Sequence, residues 1–514
     1  MIRHFGCALL ALWFLATTAW GGLPPDPLGL PGTVVVCGES AVALGCEAVR
    51  KTFPKGEQPV VLIVDAGHKE TEIDRNLTSA FAEHSLVPQV IHYRNDFTAD
   101  DWKAIQEQVA KVSGVWVLID PAPLSQVRHN DLVDLLRSVQ RRQGTVTLVG
   151  HSVNLAGHSN TSPATADTPA EAKPPLIPHV QFQVAPTTPV TQPAGSVRFE
   201  MGSSNGLLFR GREIKVIGTS EAAPVVVTLL PSQRRKELRT ELKPGAVADL
   251  VALQRAALFR AGTPFPPEHR TDCGLKSGAL LIAGGGAFSK EMIDLFVAKA
   301  GGEKARIVII PTADESPQLE GRWDQKAFLK AGAGKVTILH STNREEILTK
   351  AFQEPLVEAT GIWFGGGRQW RLVDAYADTP IVDLCHQVLA RGGIIAGSSA
   401  GATIQGDYLV RGHPLGNQVM MAEGYEQGFA FLPGTAIDQH FTQRKRQPDM
   451  EELKQTFPQL LGIGIDESTA ILVEGNQAQV LGPGTTSFYD HFTPNTKPPT
   501  IIPSGKTYTF PKSD

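Results

Sequence analysis

A serine lies between two glycines at the end of a short apolar run in the last third of the chain. Ile394-Ile395-Ala396 leads directly into Gly397-Ser398-Ser399-Ala400-Gly401, which has the G-x-S-x-G spacing of a nucleophile elbow. In such an elbow the serine occupies a sharp turn between a strand and a helix, where close neighbours must lack side chains. The turn exposes the Ser399 hydroxyl and directs N–H groups of the new helix at an adjacent anion. The alternative is a structural turn whose serine has no chemical role.

A serine hydroxyl is a poor nucleophile at neutral pH unless a base accepts its proton and a third group orients that base. Downstream of the elbow, His440 follows the half-apolar run 436–439, which has strand character. Three acids lie close to predicted strand ends: Asp438, Asp466 and Glu467. Functional sites of open α/β sheets gather at the carboxyl ends of the strands. Taken alone, His440 is equally compatible with a structural role, and its combination with the elbow is what indicates catalysis.

Three ordered segments, 397–402, 437–446 and 462–470, together resemble peptidase family S51, and within it the cyanophycinase branch. Upstream, 364–369 resembles the Gly-Gly-x-Gln turn of that family but carries one extra residue. The resemblance covers about residues 277–490. It implies a serine-type peptidase that uses an acyl-enzyme and needs no cofactor or metal.

The resemblance also implies roles for individual residues. Ser399 would be the nucleophile, His440 the general base and Glu467 the acid that orients it. Main-chain N–H groups for the oxyanion would come from Ala400 and from either Gly366 or Gly367. The chain order Ser, His, Glu differs from the Ser, acid, His order of α/β-hydrolases. This difference favours a flavodoxin-like layout of the class-I-glutamine-amidotransferase type.

The resemblance implies a polypeptide or dipeptide substrate. Cyanophycin carries arginine on a polyaspartate backbone, so its enzyme must bind guanidinium and carboxylate groups. Asp438 and Gln369 are candidates for the guanidinium, and Arg368, Arg444 and Arg446 for the carboxylates through paired N–H donors. Two alternatives stay open: a solvated basic patch at the arginines, and the small Asp-containing dipeptides cleaved by the aspartyl dipeptidase E branch.

Short apolar runs alternate with helix-like segments twice along the chain, which predicts two α/β domains with parallel sheets covered by helices on both faces. One constant offset relates three pairs of residues: Gly114 and Gly361, Trp116 and Trp363, Gly150 and Gly397. We interpret this register as a tandem duplication of a flavodoxin-like domain. Two unrelated domains with a chance register are the alternative. At the same offset Ser399 corresponds to Ser152.

The first copy, 30–220, lacks the features expected of a catalytic domain. Asn154 stands where the second copy has Gly401, and Ser203 stands where it has Glu467. A lipase-type elbow around Ser152 is a weak alternative for the same reasons. We therefore expect a degenerate copy that packs on the second one as an intramolecular pseudo-dimer. The remaining divisions are a Pro/Thr-rich insertion at 158–195, a connector at 221–276 with a helix expected at 233–242, and the catalytic domain at 277–514.

The 514 residues carry a net charge of −4 and no long basic run, so nothing indicates nucleic-acid binding. Residues 1–22 have the basic start, apolar core and small residues of a signal peptide, which predicts a secreted or periplasmic protein without a membrane anchor after cleavage. An uncleaved anchor is the alternative. The four cysteines outside that segment show no metal-ligand spacing and assign no disulfide. A non-catalytic binding scaffold and a glutamine amidotransferase remain competing functions, although the latter uses cysteine where Ser399 stands.

Overall fold

A computed structural model of the chain describes residues 26, 28–38, 41–50, 59–64, 79–83, 89–93, 98–119, 126–157, 175–184, 191–492 and 497–512. The predicted signal peptide lies outside the described residues, as does much of the predicted insertion at 158–195. The chain divides into two compact units, Met1–Thr263 and Pro264–Asp514. No helix in the described part of the chain is long and apolar enough to cross a membrane.

The first unit contains these strands: β1 (Leu30–Cys37), β2 (Val60–Val64), β3 (Gln89–Tyr93), β4 (Gly114–Ile119), β5 (Thr145–Val149), β6 (Val180–Val184), β7 (Val197–Met201), β8 (Asn205–Gly211), β9 (Glu213–Gly218), β10 (Val225–Leu229), β11 (Leu238–Leu242) and β12 (Val247–Asp249). Its helices are α1 (Val42–Arg50), α2 (Ala99–Val109), α3 (Gln126–Arg141) and α4 (Leu250–Ala261), and a 3-10 turn spans Gly150–Leu155. An eight-stranded sheet has the order β12-β9-β8-β1-β5-β4-β2-β3, and a four-stranded sheet the order β11-β10-β7-β6. The fully buried β5 and largely buried β1 lie at the centre of the eight-stranded sheet, and threonines are their only polar residues.

The second unit contains these strands: β13 (Ala279–Ala283), β14 (Arg306–Ile310), β15 (Lys335–Ile338), β16 (Gly361–Phe364), β17 (Ile394–Ser398), β18 (Gly406–Tyr408), β19 (Leu432–Gln439), β20 (Leu461–Ile465), β21 (Ala470–Glu474), β22 (Gln477–Leu481), β23 (Thr485–Tyr489), β24 (Thr500–Pro503) and β25 (Thr507–Thr509). Its helices are α5 (Lys290–Lys299), α6 (Trp323–Lys330), α7 (Arg344–Ile347), α8 (Lys350–Glu358), α9 (Gln369–Tyr376), α10 (Pro380–Ala390), α11 (Ala400–Thr403) and α12 (Gln447–Thr456), with a 3-10 turn at Gly302–Lys304. The sheet orders are β15-β14-β16-β17-β13-β21-β22-β25 and β18-β19-β20-β23-β24. The unit is therefore mixed α/β.

The large sheets of both units share one strand order and one pattern of directions. Five strands of each are parallel, and three more continue the sheet in antiparallel pairs. The α/β class is confirmed, but the expectation of purely parallel sheets is wrong, because β8 and β9, like β21 and β22, are hairpins. The buried residues Trp116 and Trp363 lie on the corresponding strands β4 and β16.

The predicted divisions at 158–195 and 221–276 do not follow the fold. Strand β6 lies within the first range and pairs with β7. The second range contains β10 to β12 and α4, which belong to the sheets and helices of the first unit. The helix expected at 233–242 is wrong, because Leu238–Leu242 forms an edge strand against β10. Pairing with β10 outweighs the helical propensity of its charged residues.

The site residues of the second unit lie where parallel strands end. In the large sheet, β13, β16 and β17 end at Ala283, Phe364 and Ser398, and in the small sheet the parallel β19 and β20 end at Gln439 and Ile465. The turns after these strands meet through main-chain bonds, since His440 N donates to Gly284 O over 2.7 Å and Ser468 N donates to Gly285 O over 2.7 Å. Both sheets thus contribute to one carboxyl edge.

Candidate active site

Ser399 lies in a strained turn between β17 and α11. Its φ of 55° and ψ of −113° place a residue with a side chain in a region that favours glycine. Its N–H donates to Ala283 O over 3.1 Å, which holds the turn against β13. A Cβ on Gly397 would lie 2.2 Å from Gly401 O, and one on Gly401 would lie 2.1 Å from Phe364 O. Both glycines of the G-x-S-x-G spacing are therefore required sterically.

A hydrogen-bonded chain joins Ser399, His440 and Glu467. The distance from Ser399 Oγ to His440 Nε2 is 3.0 Å, and from His440 Nδ1 to Glu467 Oε1 it is 2.6 Å. With its proton on Nδ1, the imidazole donates to the carboxylate, which leaves Nε2 to accept from the serine hydroxyl. His440 is buried, whereas Ser399 and Glu467 are partly exposed. Ser399 can thus be reached from solvent while its hydrogen-bond partner is held inside.

Burial lowers the pKa of His440 below its ordinary value of 6.5, because the charged imidazolium loses hydration. The hydrogen bond to Glu467 acts in the opposite direction, and the nearby Arg444 and Arg446 lower the pKa further. The imidazole is therefore neutral at neutral pH. A neutral imidazole that faces a serine hydroxyl is in the form that accepts a proton.

Three consecutive glycines after β13 shape the space around the imidazole. A Cβ on Gly285, whose φ is 98°, would lie 2.2 Å from His440 Cε1, so a side chain there would displace the ring. On Gly286, whose φ is 72°, a Cβ would lie 3.1 Å from Glu467 Cβ. Sequence reasoning missed this run, although three glycines directly after a buried apolar strand were a usable signal.

Of the two glycines proposed for the oxyanion, Gly366 lies nearer to the serine. A Cβ on Gly366 would lie 3.5 Å from Ser399 Cβ, whereas one on Gly367 would meet Ala313 O at 2.2 Å. Among the described residues, no backbone acceptor bonds the N–H of Gly366 or that of Ala400, the first residue of α11. Two N–H donors thus lie beside Ser399 without a main-chain acceptor.

Three of the residues predicted to bind substrate are instead engaged inside the protein. Gln369 is 2% exposed, and its Nε2 donates to Val410 O over 2.7 Å and to Arg411 O over 2.9 Å. Asp438 is 0% exposed and pairs with both Arg411 and Arg446. Arg446, 4% exposed, donates to Asp438 Oδ1 over 2.7 Å. This placement does not support direct substrate contact by these three, because their polar atoms face internal partners.

The other two predicted cations differ in their surroundings. Arg444 is exposed on the turn after His440, where its N–H donates to His440 O over 3.0 Å. Arg368 is partly buried, and its Nη2 donates to His413 O over 2.6 Å. Burial lowers the pKa of Arg368 from its ordinary value. Arg444 is therefore the predicted cation that remains exposed beside the imidazole.

Asp466, one of the three acids left open by the sequence, has a supporting position. Its carboxylate accepts from the N–H and the hydroxyl of Thr442 over 3.2 and 2.6 Å, and from the corresponding groups of Thr485 over 3.0 and 2.9 Å. These bonds fasten the turn that follows His440 to the turn that presents Glu467. Of the three acids, Glu467 is the one that contacts the imidazole.

The register of the first unit places Gly150, rather than Ser152, at the position of Ser399. Val149 pairs with the last residue of β1, as Ser398 pairs with the last residue of β13. Gly150 has a φ of 59°, close to that of Ser399. The buried Ser152 donates to Val117 O or Val149 O and accepts from Val149 N. The assignment of Ser152 from the constant offset is wrong, because the segment that connects β4 to β5 is two residues shorter than the one that connects β16 to β17: Gly114 pairs with Thr145, whereas Gly361 pairs with Ile394.

The described residues contain no cluster of three or more His, Cys, Asp or Glu that could hold a metal ion. The four described cysteines are free, and burial raises the pKa of Cys273 to about 12.

Comparison with known proteins locates the resemblance in the second unit. A family model described as peptidase family S51 matches residues 279–481. A cyanophycinase of Trichormus variabilis is 33% identical over 232 residues, which cover 43% of this chain and 76% of the relative. A cyanophycinase of Geminocystis herdmanii is 33% identical over 221 residues, covering 42% and 81%. A crystal structure of a peptidase from an acI-B1 Actinobacterium aligns at 23% identity and a TM-score of 0.37, over 46% of this chain and 97% of that one.

Proposed function

Because the chain belongs to peptidase family S51, we propose that it is a serine-type exopeptidase that cleaves peptide bonds of cyanophycin or of similar Asp-containing peptides. The observation that carries the proposal is the hydrogen-bonded chain from Ser399 Oγ through His440 to Glu467. It provides a nucleophile, a neutral base and an orienting carboxylate in one line, which is the arrangement that peptide hydrolysis by serine requires.

In the first half of the reaction, Ser399 Oγ attacks the carbonyl carbon of the scissile peptide while His440 Nε2 takes the hydroxyl proton. Glu467 stabilises the imidazolium that forms, because its carboxylate accepts the bond from Nδ1–H. The tetrahedral intermediate then loses its C–N bond, and Nε2–H gives the proton to the departing amine. The product of this half is an ester between the substrate acyl group and Ser399.

In the second half, water attacks the ester carbon and His440 Nε2 takes one of its protons. The bond between the acyl carbon and Ser399 Oγ breaks, and the proton returns to the serine. The negative oxygen of both intermediates would be bound by the N–H groups of Ala400 and Gly366. Donors of this kind each contribute about 3 kcal/mol to transition-state stabilisation.

Substrate preference rests on fewer residues than the sequence predicted. Arg444 is exposed next to the base and suits a substrate carboxylate. The residues proposed for a substrate guanidinium, Asp438 and Gln369, are engaged internally. Cyanophycin is favoured by the two related cyanophycinases, and small Asp-X dipeptides are the alternative substrates.

The deciding experiment incubates the purified protein with cyanophycin granules and, separately, with Asp-X dipeptides. A Ser399→Ala variant is the control. Release of amino groups from cyanophycin by the wild type and not by the variant is the expected result. Hydrolysis confined to the dipeptides would move the assignment to the dipeptidase branch. Equal hydrolysis by wild type and variant would refute the serine mechanism.

We further propose that the two units arose by tandem duplication of a flavodoxin-like, class-I-glutamine-amidotransferase-like domain, and that the first is non-catalytic. The common strand order supports the duplication, and Gly150 at the serine position supports the loss of chemistry. Ser203 further replaces the acid in that alignment, since Gly206 and Ala470 pair with the last residues of β1 and β13. The intramolecular pseudo-dimer of the two copies stays a prediction. If it is correct, we expect the chain to sediment as a monomer in analytical ultracentrifugation.

Secretion or periplasmic location also stays a prediction, based on residues 1–22. Mass spectrometry of the protein recovered from cells that carry a secretion pathway tests it. A mature N-terminus near Gly21 or Gly22 is expected, and an intact Met1 would contradict the prediction.

A further inference from the structure

Arg411 is a buried arginine in a strained backbone conformation. It is 1% exposed, and its φ of 57° lies in the region that residues with side chains seldom adopt. Such a conformation is strained and persists only where surrounding contacts enforce it. The residue lies outside the predicted motifs, between β18 and β19. Its contacts show what enforces the conformation.

The guanidinium of Arg411 joins the strand before His440 to the helix that follows. Nε donates to both oxygens of Asp438 over 3.1 Å, and Nη2 donates to Asp438 Oδ2 over 3.0 Å and to Asp449 Oδ2 over 2.6 Å. Nη1 donates to Asn417 O over 3.2 Å. Asp438 lies at the end of β19, two residues before His440, and Asp449 lies in the first turn of α12.

The main-chain atoms of Arg411 form hydrogen bonds on the opposite side of the site. Its carbonyl accepts from Gln369 Nε2 over 2.9 Å, and Gln369 lies two residues after the glycine turn 365–367. Its N–H donates to Met420 O over 2.9 Å. The glycine turn contains Gly366, which lies beside Ser399. One residue is therefore bonded both to the oxyanion side and to the histidine side.

We infer that Arg411 is a positioning residue that fixes the separation between the glycine turn at 365–367 and the strand end that presents His440. The inference rests on the proposed function for its kinetic consequence, but not for its geometry. Displacement of a reacting group by about 1 Å can reduce rates about 100-fold, so a residue that holds both sides affects catalysis without touching substrate.

The chemistry of the side chain explains why arginine is needed here. Three acceptors surround it, namely two carboxylates and a carbonyl, and a planar guanidinium reaches all of them from fixed directions. A lysine would keep the positive charge but would place one nitrogen where three are bonded. Asp438 would then retain Arg446 as its remaining full partner. The expected consequence is a shifted β19 end rather than an unfolded unit.

The test compares Arg411→Lys with Arg212→Lys. Arg212 forms an equally fork-like pair with Asp249, at 2.9 and 3.0 Å, in the first unit. Arg411→Lys removes a fully buried bidentate pair and Arg212→Lys a partly buried one, so both variants should have a lower melting temperature. Arg411→Lys is expected to lower kcat about 10- to 100-fold with KM changed less than about threefold, whereas Arg212→Lys should leave both constants unchanged. The rate of Ser399 labelling by a fluorophosphonate should fall together with kcat.

A second measurement does not depend on turnover. The Nδ1 proton of His440, bonded to Glu467, is observed as a downfield proton resonance and assigned by its loss in His440→Gln. Arg411→Lys should move or broaden this resonance, and Arg212→Lys should not. An unchanged resonance, or an unchanged kcat per folded molecule in an active enzyme, overturns the inference. Absence of labelling in the wild type refutes the proposed function instead, and the resonance still decides the role of Arg411.

Discussion

The strain at Ser399 predicts that a Ser399→Gly variant is more stable than a Ser399→Ala variant and that both lack activity. Ser399→Ala removes the hydroxyl but keeps a Cβ in the same backbone conformation, with φ of 55° and ψ of −113°. Ser399→Gly removes the hydroxyl and the Cβ together. Both variants lose the hydrogen bond to His440 Nε2. The lost hydroxyl therefore cancels, and the difference in stability reports the backbone strain and the greater conformational freedom of glycine in the unfolded chain.

The size of the difference follows from two opposing terms. Holding a residue with a side chain in such a conformation lowers stability by about 1–3 kcal/mol. Folding glycine in place of alanine costs about 0.5–1 kcal/mol of additional conformational entropy, because the unfolded chain is freer at glycine. The net effect should favour Ser399→Gly over Ser399→Ala by about 1 kcal/mol. For domains of about 150–250 residues, that corresponds to a rise in Tm of about 2–4 °C.

Calorimetry or urea unfolding of the two variants measures this difference, with loss of hydrolysis in both as the control on chemistry. The hydrogen bond that both variants lose cancels in the comparison. A glycine variant that is less stable than the alanine variant would refute the reasoning. It would mean that the strain in the turn is smaller than the extra conformational freedom that glycine loses on folding.

Three further predictions concern the triad, the elbow and the first unit. Glu467→Gln should lower kcat by about 10⁴-fold through a wrong imidazole tautomer; it should also move the acid limb of kcat/KM to lower pH, because the carboxylate raises the pKa of His440. Gly401→Ala should lower the free energy of unfolding by about 1–3 kcal/mol, since its Cβ would lie 2.1 Å from a backbone oxygen. Urea unfolding measures the change, and Gly416→Ala, whose Cβ would meet no atom within 4 Å, is the matched control. Ser152→Ala should leave hydrolysis unchanged but cost about 1–3 kcal/mol in the same unfolding assay, because it leaves buried backbone groups without their partner.

The sequence predicted that Ser399, His440 and Glu467 lie together, because Ser399 and His440 come directly after buried strands and Glu467 comes two residues after one. The end of a parallel strand fixes where the next residue emerges, so three such residues converge once the strand order is known. The steric need for Gly397 and Gly401 was also predictable, since the turn places their Cα atoms against backbone. Local spacing therefore predicted which side chains the strand ends bring together.

The roles of the buried polar residues could not be predicted in this way. Asp438 and Arg446 lie in the segment that resembles the family and carry charges suited to a substrate, yet each is a partner of the other. Arg411, which completes their cluster, is 27 residues before Asp438 and belongs to no motif. A sequence shows which charges are present, but burial and pairing depend on contacts between distant segments.

The two units together show that the sharp turn is a property of the strand arrangement and not of the serine. Gly150 directly follows the strand that corresponds to β17, and its φ of 59° nearly equals the 55° of Ser399. The first unit thus keeps this backbone angle with the residue that adopts it at no steric cost. The second unit has a serine in the same turn and accepts the strain, because only a residue with a side chain can place a hydroxyl 3.0 Å from His440 Nε2. The strain at Ser399 therefore follows from placing a hydroxyl in this turn, and the first unit has the residue that adopts the same φ without strain.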